Sequence, residues 1–486
     1  MSQMAKKNVK PSGTGPLEKS IPQLQQAMEK GELSATSLVR FYLDRIEKLD
    51  KSGPKLNSVL ETNPDALEIA KQLDMERKTT GPRGPLHGIP ILLKDNIATA
   101  DKLHTSAGSL AMAKSRAPRD AFLVERLRAA GAVILGKTNM TEWANFMTTG
   151  MKNGYSSRGG QVLNPHNPAF DTGGSSSGSG VSVAANLCAA AVGTETSGSI
   201  LSPANQNGVV GIKPTVGLIS RSGVIPISAT QDTAGPMARS VTDAAVLLGA
   251  MTGIDPKDPA TRASRGKFHT DYTQFLREDS LKGARIGIPR AYFYERPSKE
   301  ELEVVERAIK TLGKLGAEVI DPANIPTAKE VGELRYEVLL YEFKRDLNKY
   351  FKWLGPKTPI KSLKDLIRYN EDHPGQMLRY GQTLLLAAEA ASGVDSKTYR
   401  YHRAKDLRLV KTEGLDAAFK KYKLDALLFP MYWGAAIGAK AGYPSICVPA
   451  GYTKKGQPVG ITFLGKAWSE QRLVSLAYCY ETSLKP

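Results

Sequence analysis

Cysteine is scarce in this chain: Cys188, Cys447 and Cys479 are the only three among 486 residues. Three thiols cannot build a disulfide framework, and their scatter fits no zinc-ligand spacing, so a reducing compartment is the expected setting. No window approaches the ~20 uninterrupted apolar residues of a membrane-crossing helix, and no membrane role is expected. The six histidines, His87, His104, His166, His269, His373 and His402, form no HxH, HxxxH or HExxH pair, so no local metal motif exists. Clustered charge is missing too. Lys and Arg total 66 against 48 Asp and Glu, a formal +18, but the densest basic runs (Lys6–Lys7 with Lys10, Lys420–Lys421 with Lys423) are short and no Arg-rich arm is present. This reads as a solvated basic surface, not a nucleic-acid footprint. At 41% apolar and 23% charged residues, the composition excludes a mainly disordered or collagen-like chain.

Residues 1–16 are polar, carry Pro and Gly and have no period, which predicts a mobile tail. No apolar segment of signal-peptide type follows the basic start, so a cytoplasmic location is expected, although a processed precursor would begin in the same way. From residue 17 onward no repeat or linker interrupts the chain, which predicts one large α/β domain over 17–486. Apolar residues at helical spacing predict helices within 21–50, with a second start near Ser34 and Thr36, and over 64–78, 120–131, 298–316 and 330–352. Short apolar runs predict strands at 88–94, 132–136, 189–193, 208–212, 283–288 and 424–429. Residues 442–447 (Gly-Tyr-Pro-Ser-Ile-Cys) predict another core strand, with Cys447 a packed thiol.

Between about 150 and 240 the chain is rich in Gly, Ser, Asn and Pro, yet core-grade apolar runs are embedded in it. Irregular loops held inside a compact domain are usually functional. Gly173–Gly180 (GGSSSGSG) reads as a glycine-rich turn before a helix expected over 181–191. It lacks the GK[ST] ending of a phosphate loop. The GxSxG pattern at 174–178 is read as chance, because residues 167–171 make a poor strand. Ser175, Ser176, Ser177 and Ser179 crowd this turn, and Gly193–Ser199 forms a second turn 24 residues on. Glycines let such turns aim several N–H groups at one point. Serine attacks only when a base takes its proton. Lys94, at the end of an apolar run, is the best candidate base; a surface lysine at a strand end is the plain alternative.

Several segments together resemble the amidase signature family. They are Gly173–Ser176, Gly193–Glu195 with Gly198–Ile200, Pro203, and Gly208–Thr215. Upstream lie Pro85–Pro90 and Lys94–Asn96; downstream lies Gln231–Arg239 with Val241, Asp243 and Ala244. Within the family, Lys137–Phe146, Tyr341–Lys344 and Ala467–Glu470 resemble the bacterial peptide amidases, which remove the C-terminal amide of peptides. The resemblance implies the family's fold: a large mixed, twisted β-sheet with helices on both faces. It implies a Ser-cisSer-Lys triad in which Lys94 matches the base, Ser175 the bridging serine after a cis peptide bond, and Ser199 the nucleophile. The oxyanion hole matches the N–H groups of Thr196, Ser197, Gly198 and Ser199. Thr194 matches the threonine that supports the bridging serine, and Ser176 is grouped with it, its expected use being turn formation or helix capping.

The implied activity is hydrolysis of linear amides through an acyl-enzyme, with peptide C-terminal amides as the first substrate class. The alternatives are a broader amidase acting on aryl or aliphatic amides and esters, or an amidotransferase subunit that needs a partner. No cofactor or metal is implied, and a monomer or homodimer acting on a small or short-peptide amide is expected. A lysine base works only when neutral. Moving it from ~10.4 towards neutrality costs about 4 kcal/mol of charged-state stability, which burial supplies; an alkaline activity optimum follows. The chain departs from the family's usual pattern at Glu195, Ser197 and Leu201, and the segment 430–442 looks short; these changes are expected to alter the wall of the substrate pocket.

Overall fold

The computed structural model describes residues 16–484 except residues 335 and 357. The tail expected over 1–16 and its lysines therefore lie outside the described residues, apart from Pro16. Thirteen strands occur among the described residues: β1 (Val59–Thr62), β2 (Pro90–Lys94), β3 (Val133–Thr138), β4 (Tyr155–Ser156), β5 (Gly160–Gln161), β6 (Ala190–Glu195) and β7 (Val210–Lys213), then β8 (Thr233–Ala238), β9 (Arg285–Gly287), β10 (Glu318–Ile320), β11 (Ala426–Pro430), β12 (Ser445–Tyr452) and β13 (Pro458–Leu464). Strands β4 and β5 pair only with each other. The other eleven form one sheet, ordered β1-β3-β2-β6-β8-β7-β12-β13-β11-β9-β10.

The sheet is mixed. Strand β2 runs parallel to β3 and β6, and β9 runs parallel to β10 and β11, whereas the pairs from β6 through β11 are antiparallel. Every residue of β2, β3, β6, β7, β8, β11 and β13 is buried. Helices cover them, which is why these strands read as continuous apolar runs without alternation. Strands β8 and β13 have no counterpart among the strands expected from the sequence. Gly and Pro dilute their apolar residues, and sheet neighbours, not local propensity, hold them extended.

Most predicted helices form within a turn of their expected ends. Two corrections concern the helical reading. Residues 330–352 divide into helices Ala328–Glu333 and Glu337–Leu354, because Leu334 is extended (ψ 131°) and ends the first. The run GGSSSGSG is only in part a turn: a buried helix spans Ser177–Ala184, so it begins inside the glycine-rich run and ends before 191. Its small residues serve close packing. A Cβ on Gly178 would stand 2.3 Å from the carbonyl oxygens of both Ser58 and Asn139, so only glycine lets the helix lie against that backbone. A second apolar cluster packs Phe343 and Phe351 of the helix Glu337–Leu354 against Trp143 and Phe146, outside the main sheet core. Among the described residues no helix is long and apolar enough to cross a membrane.

Candidate active site

Strands β2 and β6 are parallel neighbours, with Leu93 opposite Val192. Their C-terminal ends therefore meet, and they bring Lys94 beside Thr194. The Lys94 side chain has no exposed surface. Its Nζ donates to Ser175 Oγ at 2.7 Å, Thr194 Oγ1 at 2.9 Å and the Thr194 carbonyl oxygen at 3.1 Å. Asn96 Nδ2 donates to the same Thr194 hydroxyl at 2.9 Å and fixes it from the other side. Three acceptors orient the amine, but burial disfavours its charge. Its pKa is lowered to about 7, with the charges of Glu195 and Asp232 pulling the opposite way. The plain alternative of a surface lysine at a strand end is thereby set aside.

Ser175 follows a cis peptide bond from Gly174 and is fully buried. Its carbonyl oxygen accepts from the Thr141 N–H at 3.0 Å. The next residue ties the two glycine-rich segments together, since the Ser176 N–H donates to the Ser199 carbonyl oxygen at 3.1 Å. The Ser176 hydroxyl does not cap a helix. It donates to the Thr194 carbonyl oxygen at 3.1 Å and accepts from the Thr194 N–H at 3.2 Å, clamping the end of β6. Ser177 Oγ bonds to the Gly173 carbonyl oxygen, and Ser179 Oγ to that of Val192, so both have packing roles.

Ser199 precedes the helix Leu201–Asn207 and is 7% exposed, whereas Ser197 is exposed. Thus the amine is deep, the bridging hydroxyl lies against it, and the Ser199 turn faces outward. The Ser199 hydroxyl makes no hydrogen bond among the described residues, so the Ser175–Ser199 hydroxyl link is not closed here. Residues Thr196 to Ser199 form the bend between β6 and that helix, with Gly198 at φ 89°. The Glu195 carboxylate organises the bend from beneath: Oε2 accepts from the N–H of Ile200 at 2.7 Å and of Leu201 at 3.0 Å, and the Gly198 N–H also faces it. Burial raises the Glu195 pKa; the Leu201 N–H and the nearby Lys213 charge oppose the rise.

One departure from the family pattern, Leu201, thus behaves otherwise than expected. Leu201 is fully buried in the main core, whereas Glu195 turns inward as the support of the bend and lines a small pocket with Thr194, Thr196 and Asp232. Ser197 stays at the rim. The segment after Pro430 forms the helix Ala435–Ala441, and a Cβ on Gly198 would meet Ala435 at 3.5 Å.

The sequence reading gave no role to Asp232, Gln231 or Asn96, although all three lie in the segments that carry the resemblance. Asp232 accepts from the Thr196 hydroxyl at 2.5 Å and from the N–H groups of Ile227 and Ser228 at 2.8 Å each. Burial raises its pKa to about 7 against those bonds. Gln231 Nε2 donates to the Thr196 carbonyl oxygen at 3.2 Å.

The family model described as Amidase matches residues 37–474. The crystal structure of native peptide amidase from Stenotrophomonas maltophilia superposes with a TM-score of 0.92; it is 47% identical and the match covers 96% of this chain and 97% of that one. A probable amidase from Arabidopsis thaliana is 44% identical over 476 residues, 96% of this chain and 90% of the relative. A glutamyl-tRNA(Gln) amidotransferase subunit from Methylobacillus flagellatus is 34% identical over 490 residues, 95% of this chain and 96% of that one.

Proposed function

The chain belongs to the amidase family and carries its fold, and from that premise we propose that it hydrolyses linear amides through Lys94, Ser175 and Ser199, with the C-terminal carboxamides of short peptides as substrates. The observation that carries this reading is the 2.7 Å bond between a fully buried lysine amine and the Ser175 hydroxyl, together with a pKa brought down to about 7.

When neutral, Lys94 keeps its two N–H bonds on the two Thr194 oxygens and turns its lone pair to the Ser175 hydroxyl, whose proton it takes as Ser175 takes that of Ser199. The Ser199 oxygen bonds to the substrate carbonyl carbon, and the carbonyl π electrons move onto oxygen. The N–H groups of Thr196, Ser197, Gly198 (shared with Glu195) and Ser199 are the donors for that oxyanion, where a single donor is worth about 3–4 kcal/mol. The tetrahedral adduct collapses, the C–N bond breaks, and the proton held by Lys94 returns through Ser175 to the departing amine. Water then repeats the sequence on the Ser199 ester, releasing the carboxylic acid. The open Ser175–Ser199 link suits this scheme, since catalytic hydrogen bonds often tighten only with substrate bound. Thr194, held by Asn96 and Ser176, keeps the amine aimed at Ser175.

Preference for peptide amides over wider amide and ester substrates rests on the 47% identity to a peptide amidase and on segments 137–146, 341–344 and 467–470. The 34% identity to a component of an amidotransferase favours the second reading, that of a subunit passing ammonia to a partner. One experiment separates them. The purified chain is assayed alone on peptide amides, aliphatic amides, anilides and esters, beside Ser199→Ala. We expect turnover of peptide amides by the chain alone, and a loss of ~10³-fold or more in the variant together with its labelling by a serine-directed fluorophosphonate. Full activity in Ser199→Ala would falsify the serine assignment; inactivity of the chain alone favours the subunit reading.

A further inference from the structure

A cavity of about 310 Å³ opens between the loop 221–232 and the helix Glu337–Leu354. Lys94, Ser175 and Ser199 do not line it; its link to the serine centre is Asp232, which holds the Thr196 hydroxyl.

Three carboxylates reach the cavity wall, and each is already committed. Asp258 takes both arms of Arg221, Nη2 to Oδ1 at 2.6 Å and Nε to Oδ2 at 2.8 Å. Asp346 takes both arms of Arg345 at 2.7 and 2.8 Å and the Ala229 N–H at 3.0 Å. Asp232 serves Thr196, Ile227 and Ser228. Three cations of the wall remain over. Arg119, Lys257 and Lys349 enter no ion pair among the described residues. Arg119 is not idle in position, because its guanidinium lies over the Trp353 ring, 5.4 Å from the centroid. The Tyr350 ring, 5.2 Å from that of Trp353 between centroids, lines the cavity as well.

The cavity therefore offers surplus positive charge, an oriented guanidinium and flat apolar walls from Trp353, Pro226 and Val224. We propose that it binds a small aromatic carboxylate, the carboxylate against Arg119 and the two lysines and the ring against Trp353. Arg matches a carboxylate through two parallel N–H bonds, and the size suits one ring with a short acidic arm.

Calorimetric titration of the full chain tests this, with benzoate, benzyl alcohol and inorganic phosphate as probes. The chain is first labelled at its active serine by the fluorophosphonate, so that product-like binding at that centre is blocked. Failure to label counts against the serine reading alone, and the titration then uses the unlabelled chain. Saturable benzoate binding, at least ~10-fold tighter than benzyl alcohol, is expected. The double variant Lys257→Ala/Lys349→Ala, at exposed positions that leave the fold intact, should weaken it ~10-fold or more, and so should Arg119→Ala. No saturable binding, or equal binding by these variants, overturns the proposal. Phosphate binding as tight as benzoate overturns the assignment of an aromatic ligand.

Discussion

At the scale of single residues the decisive feature is a gradient of exposure from Lys94 to Ser197. The lysine sits where no water competes for its hydrogen bonds, and its charge is therefore disfavoured. With the amine at about 7, the expected alkaline optimum becomes a plateau reached just above neutrality. The kcat/KM profile for a peptide amide should rise tenfold per pH unit below pH ~6.5 and level off above ~7.5. A rate independent of pH between 5 and 8 would remove Lys94 from the mechanism. The same residue bears on stability. In the unfolded chain the amine keeps its proton up to about 10.5; in the folded chain it loses it above about 7. Between these values the unfolded state binds the extra proton, so raising the pH favours folding. Relative to Lys94→Met, the native chain should gain about 3 kcal/mol between pH 7.5 and 9.5, at ~1.4 kcal/mol per pH unit. Urea unfolding of both proteins at the two pH values measures it, and a difference that stays constant contradicts it.

At the scale of elements, the glycine-rich run behaves as packing material. The helix Ser177–Ala184 supports Ser175 because its own small residues approach β1 and β3 so closely. Gly178→Ala should cost about 1–3 kcal/mol and reduce activity, since the added carbon meets two fixed carbonyl oxygens. Ser298→Ala is the informative comparison. Ser298 caps the helix Lys299–Lys314 in a reciprocal pair with Glu301, far in sequence from the proposed triad. Its loss should cost about 1 kcal/mol and leave kcat unchanged. Thermal unfolding with parallel assays distinguishes the two; equal activity in both variants would mean that the helix packing does not position the serines.

At the scale of the whole molecule, one sheet gathers residues 81 and 100 positions apart onto one buried amine. Lys94 is not alone. Burial also lowers Lys137 and Lys213 to about 8, each held by buried oxygen acceptors. All three lysines are neutral in the folded chain at pH 9.5 and charged in the unfolded one, and the formal +18 shrinks over the same range. The urea midpoint of the native chain should therefore rise between pH 7.5 and 9.5. Buried carboxylates such as Asp232 and Glu142, at about 7, do most of their titrating below this window. A falling midpoint would show that these lysines keep their charge when folded.

By itself the sequence determined the family, through ordered motifs in Lys94–Asn96, Gly173–Ser176 and Gly193–Ile200, and it determined the core strands whose residues are continuously apolar. Residue chemistry alone offered Lys94 as a candidate base for serines crowded by glycine; Ser175 and Ser199 as its partners were implied only by the resemblance to the family. Only the tertiary structure decided what surrounds them. Glu195 supports the bend, Leu201 fills the core, Ser176 clamps β6, and Asp232 anchors Thr196. Local pattern records whether a residue is apolar, small or charged. Which carbonyl, N–H or hydroxyl a buried polar group meets depends on strands and loops that pair across tens of residues, and that pairing exists only once the sheet has formed.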